Sequence, residues 1–201
     1  MTLTAPAAGD WTVRGARQDL WPTRIYQRTT PTGPDTDALA EEILTREHAD
    51  TSRSLGVAAA RKSAPDILTW QLPAITSLNA WIREAALALT GAGPQTPLRA
   101  SAWAVHYRTG GFHEVHAHHD SAVSGVYYLR TAPEPTGALE LADPRPARWA
   151  TEPAGPGGIH EVTPHPGLLI AFPSWLRHGV APHHSDTARL CIAFNVTMEV
   201  R

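Results

Sequence analysis

Three side chains that can bind a metal occupy alternate positions near the middle of the chain: His116, His118 and Asp120. On an extended strand successive side chains point to opposite faces, so these three are expected on one face. Ligands from one strand make only part of a metal site, and His178, near the C-terminus, offers a further imidazole. The spacing therefore predicts a metal site between two strands that lie far apart in sequence.

A histidine-rich run can also lie in an exposed loop without binding anything. Here the run lies between two predicted strands, and ten of the eleven histidines occur at or beyond position 106. This concentration favours a metal site that includes His118 and His178. We interpret the remaining histidines of this half as surface or turn residues: His106, His113, His160, His165, His183 and His184.

From residue 98 onward the sequence predicts about eight short strands separated by glycine and proline turns. They are Leu98–Tyr107, Phe112–His118, Ala122–Thr131, Ala138–Ala142, Ile159–Val162, Leu168–Phe172, His178–Ala181 and Arg189–Val200. Short strands of this number, following a helical section, indicate a mainly β fold: a double-stranded β-helix, or jelly roll of the cupin kind, with N-terminal helices packed on one sheet.

The first half of the chain is expected to be scaffold. Its predicted elements are a strand over Arg24–Arg28 and helices over Asp37–Glu47 and Thr76–Leu89. Residues 51–72 have little periodicity and many small side chains, which indicates a surface loop able to close over a site. We therefore expect one domain over residues 1–201, in which residues 1–97 support a catalytic core at 98–201.

Composition restricts the partners and the compartment. The formal net charge is -2, so the chain offers no basic field for nucleic acid or an anionic membrane. A single cysteine, Cys191, and an N-terminus without a secretory pattern indicate a reducing, cytoplasmic location. The longest apolar runs are too short to span a bilayer. We expect no nucleic-acid partner and no membrane association.

The last predicted strand carries a candidate anion-binding residue, Arg189. Polar and small residues alternate there with large apolar ones: Arg189, Cys191, Ala193 and Asn195 on one face, and Leu190, Ile192 and Phe194 on the other. The first face suits the wall of a polar cavity, and a planar guanidinium can hold a carboxylate through two hydrogen bonds. The pattern predicts a carboxylate site at Arg189.

Five separated motifs then occur in a fixed order. They are His116-x-His118, Ser124-Gly-Val-Tyr-Tyr-Leu129, Leu141-Ala-Asp-Pro-Arg145, Phe172-Pro-Ser-Trp-Leu-x-His178, and Arg189 before Phe194-Asn195. In this order they resemble the putative 2-oxoglutarate and Fe(II)-dependent oxygenase family, over roughly residues 100–196. The resemblance implies a double-stranded β-helix that holds Fe(II) near its mouth, uses O2, and binds the distal carboxylate of 2-oxoglutarate through Arg189.

The resemblance leaves the third metal ligand open. His118 and His178 belong to every version of the site, whereas His116 follows the His-x-His pattern of the family and Asp120 follows the two-histidine, one-carboxylate pattern of the wider superfamily. The family pattern, which favours His116, usually continues with proline, and His119 stands in that place here.

Two further residues are placed in the co-substrate site. Tyr127 and Tyr128 lie on opposite faces of their strand, so at most one faces the cavity. The resemblance implies Tyr128 as a hydrogen-bond partner of 2-oxoglutarate, and the alternative is a core tyrosine with a paired hydroxyl. Asn195, on the same face as Arg189, is assigned to the same site.

The expected activity is oxidation, by default hydroxylation, of a small-molecule substrate with release of succinate and CO2. Two alternatives from other classes stay open. A cupin-like enzyme with three histidine ligands would not use 2-oxoglutarate, and a non-catalytic jelly roll that binds a ligand would need neither iron nor Arg189.

Overall fold

The computed structural model describes residue 18 and residues 21–49, 57–134, 136–145 and 158–199. It contains two α-helices, α1 (Pro34–Ala49) and α2 (Pro73–Thr90). The strands are β1 (Tyr26–Thr29), β2 (Val57–Lys62), β3 (Leu98–His116), β4 (Val123–Arg130), β5 (Leu139–Ala142), β6 (Ile159–Val162), β7 (Leu168–Pro173), β8 (His178–Val180) and β9 (Arg189–Met198).

The strands form one curled antiparallel sheet. Its order is β1-β7-β4-β9-β3-β8-β5-β6, and β2 pairs with β3 at one side. The long strand β3 pairs with β9 through its first half and with β8 through its second half, so it passes from one wall of the roll to the other. The predicted fold class, a mainly β double-stranded β-helix with N-terminal helices, is confirmed.

Two apolar cores lie on the two faces of this sheet. Helices α1 and α2 cover the outer face, where Leu78 of α2 and Ile192 of β9 are both fully buried. The inner face encloses a second cluster that includes Tyr107, Tyr128 and Cys191. Strand β9 contributes alternate residues to the two clusters, as its sequence pattern predicts.

The structure corrects the prediction of two strands over residues 98–118. Strand β3 runs without reversal through Gly110 and Gly111, where a turn was expected. Gly110 has a φ of 81°, and a Cβ on Gly111 would lie 2.8 Å from the carbonyl oxygen of Ala59. The two glycines therefore allow a bend and a close strand approach instead of a hairpin.

The surface loop predicted over residues 51–72 is also corrected. Residues 51–56 lie outside the described part, but Val57–Lys62 form strand β2 and Ile67–Thr69 form a short 3-10 helix. Ile67 is fully buried. The strand has little hydrophobic alternation because its stability comes from main-chain pairing with β3, which a local sequence pattern does not reveal.

Both predicted helices are confirmed, each starting three residues earlier than expected. Pro34 and Pro73 begin them, and proline suits the first helical turn because the amide hydrogen it lacks has no partner there. Helix α2 ends at Gly91, whose φ of 68° is the left-handed conformation of a glycine cap. Within the described residues, no helix has the length and apolarity needed to cross a membrane.

Candidate metal and co-substrate site

Three histidines converge where β3 and β8 meet. His116 ends β3 and lies opposite His178, the first residue of β8. His118 follows the end of β3, and its backbone amide donates to the carbonyl oxygen of Ser174 at 2.9 Å. One ligand nitrogen from each of these imidazoles lies within 4.8 Å of the other two. The sheet register thus assembles the cluster predicted from the sequence.

Backbone hydrogen bonds orient two of the rings. Nδ1 of His116 donates to the carbonyl oxygen of Glu114 at 2.7 Å, and Nδ1 of His178 donates to the carbonyl oxygen of Leu176 at 2.8 Å. A carbonyl only accepts, so each ring carries its proton on Nδ1 and leaves Nε2 with a free lone pair. Hydrogen bonds of this kind fix the tautomer and direction of metal-binding histidines.

The cluster favours uncharged imidazoles. Burial lowers the pKa of His178 to about 4, with a smaller opposing effect from its hydrogen bond to Leu176. Burial is also the main reason that the pKa values of His116 and His118 are lowered. Neutral imidazole is the metal-binding form and is a good ligand for ferrous iron, so the donor set fits Fe(II).

Asp120 is not brought into this cluster. The strand ends at His116, so Asp120 does not continue the alternation that was expected to place it beside His118. It is exposed, and its carboxylate accepts a hydrogen bond from the hydroxyl of Ser121 at 3.1 Å. Of the two alternatives for a third ligand, the structure therefore places His116, and not Asp120, with His118 and His178.

A fourth histidine, His113, was missed by the sequence analysis. Strict alternation would separate it from His116, but the pairing of β3 with β8 shifts register between them. This irregularity brings the two rings to a centroid separation of 4.3 Å. Burial, followed by the charge of Lys62, lowers the pKa of His113 to about 3. No local sequence signal marks such a bulge.

Arg189 lies within the roll and is 1% exposed. Its guanidinium carbon lies 4.0 Å from the centroid of the Tyr107 ring, and Nη1 donates to the carbonyl oxygen of Gly137. Gly137 has a φ of 63°, and a Cβ there would meet Nη1 of Arg189 at 2.5 Å. Glycine is thus required both by the backbone conformation and by the approach of the arginine.

The opposite edge of the same guanidinium has no partner among the described residues. Nε and Nη2 of Arg189 are buried and make no hydrogen bond, and no described carboxylate forms an ion pair with this residue. These two nitrogens form one side of the planar fork that binds a carboxylate through two parallel bonds. The residue predicted to bind a carboxylate therefore has the geometry to do so.

The structure separates the two adjacent tyrosines as predicted. Tyr128 lines the same pocket as Arg189 and the histidines, and burial raises the pKa of its hydroxyl, which therefore stays protonated. Tyr127 belongs to the helix-side core, where its hydroxyl lies 3.3 Å from that of Thr30. Tyr128 is thus the member of the pair that faces the cavity.

Asn195 also lines the pocket and lies on β9, six positions after Arg189. Its Oδ1 accepts a hydrogen bond from the hydroxyl of Ser124 at 2.7 Å. Five residues lie between Arg189 and Asn195, and six steps of a fully extended strand at about 3.3 Å each correspond to roughly 20 Å. Asn195 and Arg189 thus line the same pocket at separate positions along β9, and the role of Asn195 in binding the co-substrate stays a prediction.

Comparison with known proteins gives one family match and several structural matches. The model of the family described as putative 2OG-Fe(II) oxygenase matches residues 101–195, which include both histidine motifs and Arg189. No curated protein gives a significant match to the chain. The resemblance drawn from the five motifs is thus confirmed by a family whose members use Fe(II), 2-oxoglutarate and O2.

Solved structures share the fold at low sequence identity. A Pseudomonas putida prolyl-4-hydroxylase is 21% identical, with a TM-score of 0.64, over 89% of this chain and 94% of that one. HygX from Streptomyces hygroscopicus, with nickel, 2-oxoglutarate and hygromycin B bound, is 15% identical, with a TM-score of 0.58, over 87% and 83%. The epimerase SnoN from nogalamycin biosynthesis is 13% identical, with a TM-score of 0.66, over 87% and 76%.

Proposed function

We propose that this chain, whose β core is that of a 2-oxoglutarate and Fe(II)-dependent oxygenase, hydroxylates a small-molecule substrate and releases succinate and CO2. One oxygen atom of O2 enters the substrate and the other enters succinate, and the two electrons that O2 needs beyond those of the substrate come from the decarboxylation of 2-oxoglutarate. Iron held by the histidine cluster would supply the activation of O2. The protein's own part is to hold the two reactants in a fixed relation and to keep water out.

The buried guanidinium of Arg189 is the observation that carries this proposal. A cation taken out of water without an opposing charge is strongly unfavourable. No described residue offers Arg189 a carboxylate, and two of its donors are unpaired. An acidic ligand that reaches into the roll would satisfy both deficits, and the distal carboxylate of 2-oxoglutarate has the required charge and geometry.

The three histidines are proposed as the iron ligands. His116, His118 and His178 leave part of the coordination sphere for the co-substrate and O2, as in facial sites of non-haem iron oxygenases. The carbonyl oxygens of Glu114 and Leu176 would hold two of the rings in place. Binding 2-oxoglutarate at both ends, by iron and by Arg189, would fix its orientation before O2 arrives.

Tyr128 is proposed to donate its hydroxyl hydrogen to the same co-substrate. The hydroxyl is buried, lines the pocket and lies close enough to Arg189 for the cation to act on its pKa. Asn195 is proposed as a second polar contact of the reactants, with its Oδ1 held by Ser124 so that its amide nitrogen is free to donate. Apolar neighbours such as Phe172 line the same pocket and limit the entry of water.

Structural relatives of this chain have been solved with different kinds of bound substrate-like molecules. The HygX structure contains hygromycin B as well as 2-oxoglutarate, whereas a Trichoplax adhaerens prolyl hydroxylase is complexed with a peptide fragment. The fold therefore accommodates both kinds of substrate. For this chain we propose a small molecule, bound at the histidine end of the pocket.

The test is 2-oxoglutarate turnover by the iron-loaded protein. We expect succinate to form only when Fe(II), O2 and 2-oxoglutarate are all present, with slow formation even without the substrate. A cupin-like enzyme or a binding protein of the same fold would produce none. As a control, Arg61→Leu removes an exposed arginine of β2 that does not line the pocket, and it should leave the rate of succinate formation unchanged.

A further inference from the structure

Lys62 is the only lysine of the chain and lies beside the histidine cluster. It is the last residue of β2 and pairs with Val105, a pocket-lining residue of β3. Its side chain is partly buried, and its ammonium donates to Nε2 of His113 at 3.1 Å. Since the ring of His113 packs on that of His116, the ammonium lies close to the proposed metal ligands.

This cation has no acidic partner in the described part of the chain. No ion pair to Lys62 is formed there, and neither aspartate nor glutamate occurs among the described residues that line the pocket. The other basic residue of the segment, Arg61, points to the opposite face and pairs with Glu47 at 3.9 Å. Lys62 thus differs from its neighbour in that no acidic side chain of the described residues balances its charge.

The donor set of the site increases this imbalance. Three neutral imidazoles leave both charges of a bound Fe(II) uncompensated, whereas a set with one carboxylate would cancel one of them. The two carboxylates of 2-oxoglutarate carry two negative charges. They would balance either both positive charges of Fe(II), or one charge of Fe(II) and the charge of Arg189. Either way, the cation of Lys62 at the histidine end stays without an anion.

A second, independent feature points the same way. The indole Nε1 of Trp103 is buried and has no hydrogen-bond partner among the described residues, and Trp103 lines the pocket on the same strand as Val105. A buried donor without an acceptor is costly and is usually completed by a ligand or water. In the part of the chain that the structure describes, neither Trp103 Nε1 nor the ammonium of Lys62 has an acceptor oxygen.

We propose that the substrate carries an anionic group, a carboxylate or a phosphate, that Lys62 binds at the histidine end of the pocket, with the indole of Trp103 as a further donor. This inference deepens the proposed function and rests on it. Arg189 then selects the co-substrate and Lys62 the substrate. Each of the two cations then binds one of the two reactants.

The test compares anionic and neutral probes of the same size. Protein with Fe(II) and 2-oxoglutarate is titrated anaerobically with benzoate, phenyl phosphate and neutral benzamide, and binding is measured by calorimetry. We expect at least one anion to bind about ten-fold or more tightly than benzamide, as a charge-assisted contact provides. Whichever of benzoate and phenyl phosphate binds more tightly indicates whether the anionic group of the substrate is a carboxylate or a phosphate. Equal binding of all three probes, or none, would overturn the proposal.

Substitutions at Lys62 locate the effect. Lys62→Gln should weaken anion binding about ten- to hundred-fold and leave benzamide unchanged, and Lys62→Arg should keep most of the affinity. Arg61→Gln, one residue away on the opposite face, is the matched control and should bind all three probes like the wild type. An unchanged anion affinity in Lys62→Gln overturns the proposal. The wild-type comparison of probes needs no variant and stays decisive if one folds poorly.

A separate titration with 2-oxoglutarate distinguishes this inference from the proposed function. In Lys62→Gln the affinity for 2-oxoglutarate should equal that of the wild type. If the affinity for 2-oxoglutarate falls while the affinity for the anionic probes does not, Lys62 binds the co-substrate. The inference then fails, and the proposed function stands. The probe titrations are repeated without 2-oxoglutarate, so a protein that does not bind the co-substrate still gives a readable anion result.

Discussion

The two ends of the pocket are built in different ways. At the histidine end, neutral imidazoles lie together where β3 and β8 meet, and His116 and His118 come from neighbouring positions of one chain segment. At the arginine end, a permanent cation is buried within the roll and held by an aromatic ring and the carbonyl oxygen of Gly137. The histidine end has free lone pairs, and the arginine end has free donors. The pocket is therefore suited to a ligand that joins a metal to a cation.

This difference determines how each end should respond to change. A metal site depends on all of its ligands at once, so loss of one imidazole should remove metal binding while leaving the arginine intact. The arginine contributes one charge-assisted contact to one ligand, so its loss should weaken that ligand alone. The two ends should thus be separable by substitution.

The largest effect is expected from His178→Ala. Removing a partner that merely orients a ligand costs about ten- to hundred-fold in metal affinity, so removing a proposed ligand itself should cost more than about hundred-fold. Iron content and Fe(II) affinity provide the measurement, with His165→Ala, an exposed histidine, as the control. A variant that retains stoichiometric iron and normal turnover would show that His178 is not a ligand.

The third ligand is tested by His116→Ala and Asp120→Ala. His116 lies in the cluster and Asp120 is exposed outside it, so we expect His116→Ala to lose iron nearly as severely as His178→Ala and Asp120→Ala to bind it normally. Iron affinity is measured for both under identical conditions. Similar, mild losses in the two variants would mean that neither side chain coordinates the metal.

The histidine end should also make the stability of the protein depend on pH. Burial lowers the pKa of His113 to about 3 and that of His178 to about 4, below the ordinary value of 6.5. At pH values between these folded-state pKa values and 6.5, the unfolded chain therefore binds more protons than the folded chain. The stability of metal-free protein should therefore fall as the pH drops from about 6.5 towards 4, by at least about 2 kcal/mol.

Urea unfolding at several pH values measures this dependence. His178→Gln should have a weaker slope than the wild type, because one of the two perturbed imidazoles is absent. A free energy of unfolding that stays constant between pH 7 and 5 in the metal-free protein would contradict the account of a buried, neutral cluster.

Much of this arrangement could be predicted from the sequence. The alternation of β9 placed Arg189 and Asn195 on the pocket side, and the opposite directions of Tyr127 and Tyr128 followed from strand geometry alone. Widely separated motifs, such as the one that ends at His178, could be assigned to one site because their order along the chain resembles that of the oxygenase family. The individual strands were also recovered where turns separate them.

The features that could not be predicted from the sequence depend on contacts between distant segments. Local alternation could not reveal the bulge that turns His113 towards His116, or the pairing with β3 that makes Val57–Lys62 a strand. Lys62 was therefore overlooked. Gly110 was interpreted as a hairpin turn because glycine permits both a reversal and a bend, and only the neighbouring strands decide between them.

The most direct test of the account is an anaerobic titration of Arg189→Leu and wild type with Fe(II) and then with 2-oxoglutarate, followed by the metal-to-ligand charge-transfer band in the visible. Loss of a charge-assisted contact of about 1.5 to 3 kcal/mol should weaken 2-oxoglutarate binding by about one to two decades while Fe(II) affinity changes little. An unchanged affinity for 2-oxoglutarate, or the absence of the band in the wild type, would contradict the assignment of the arginine end to the co-substrate.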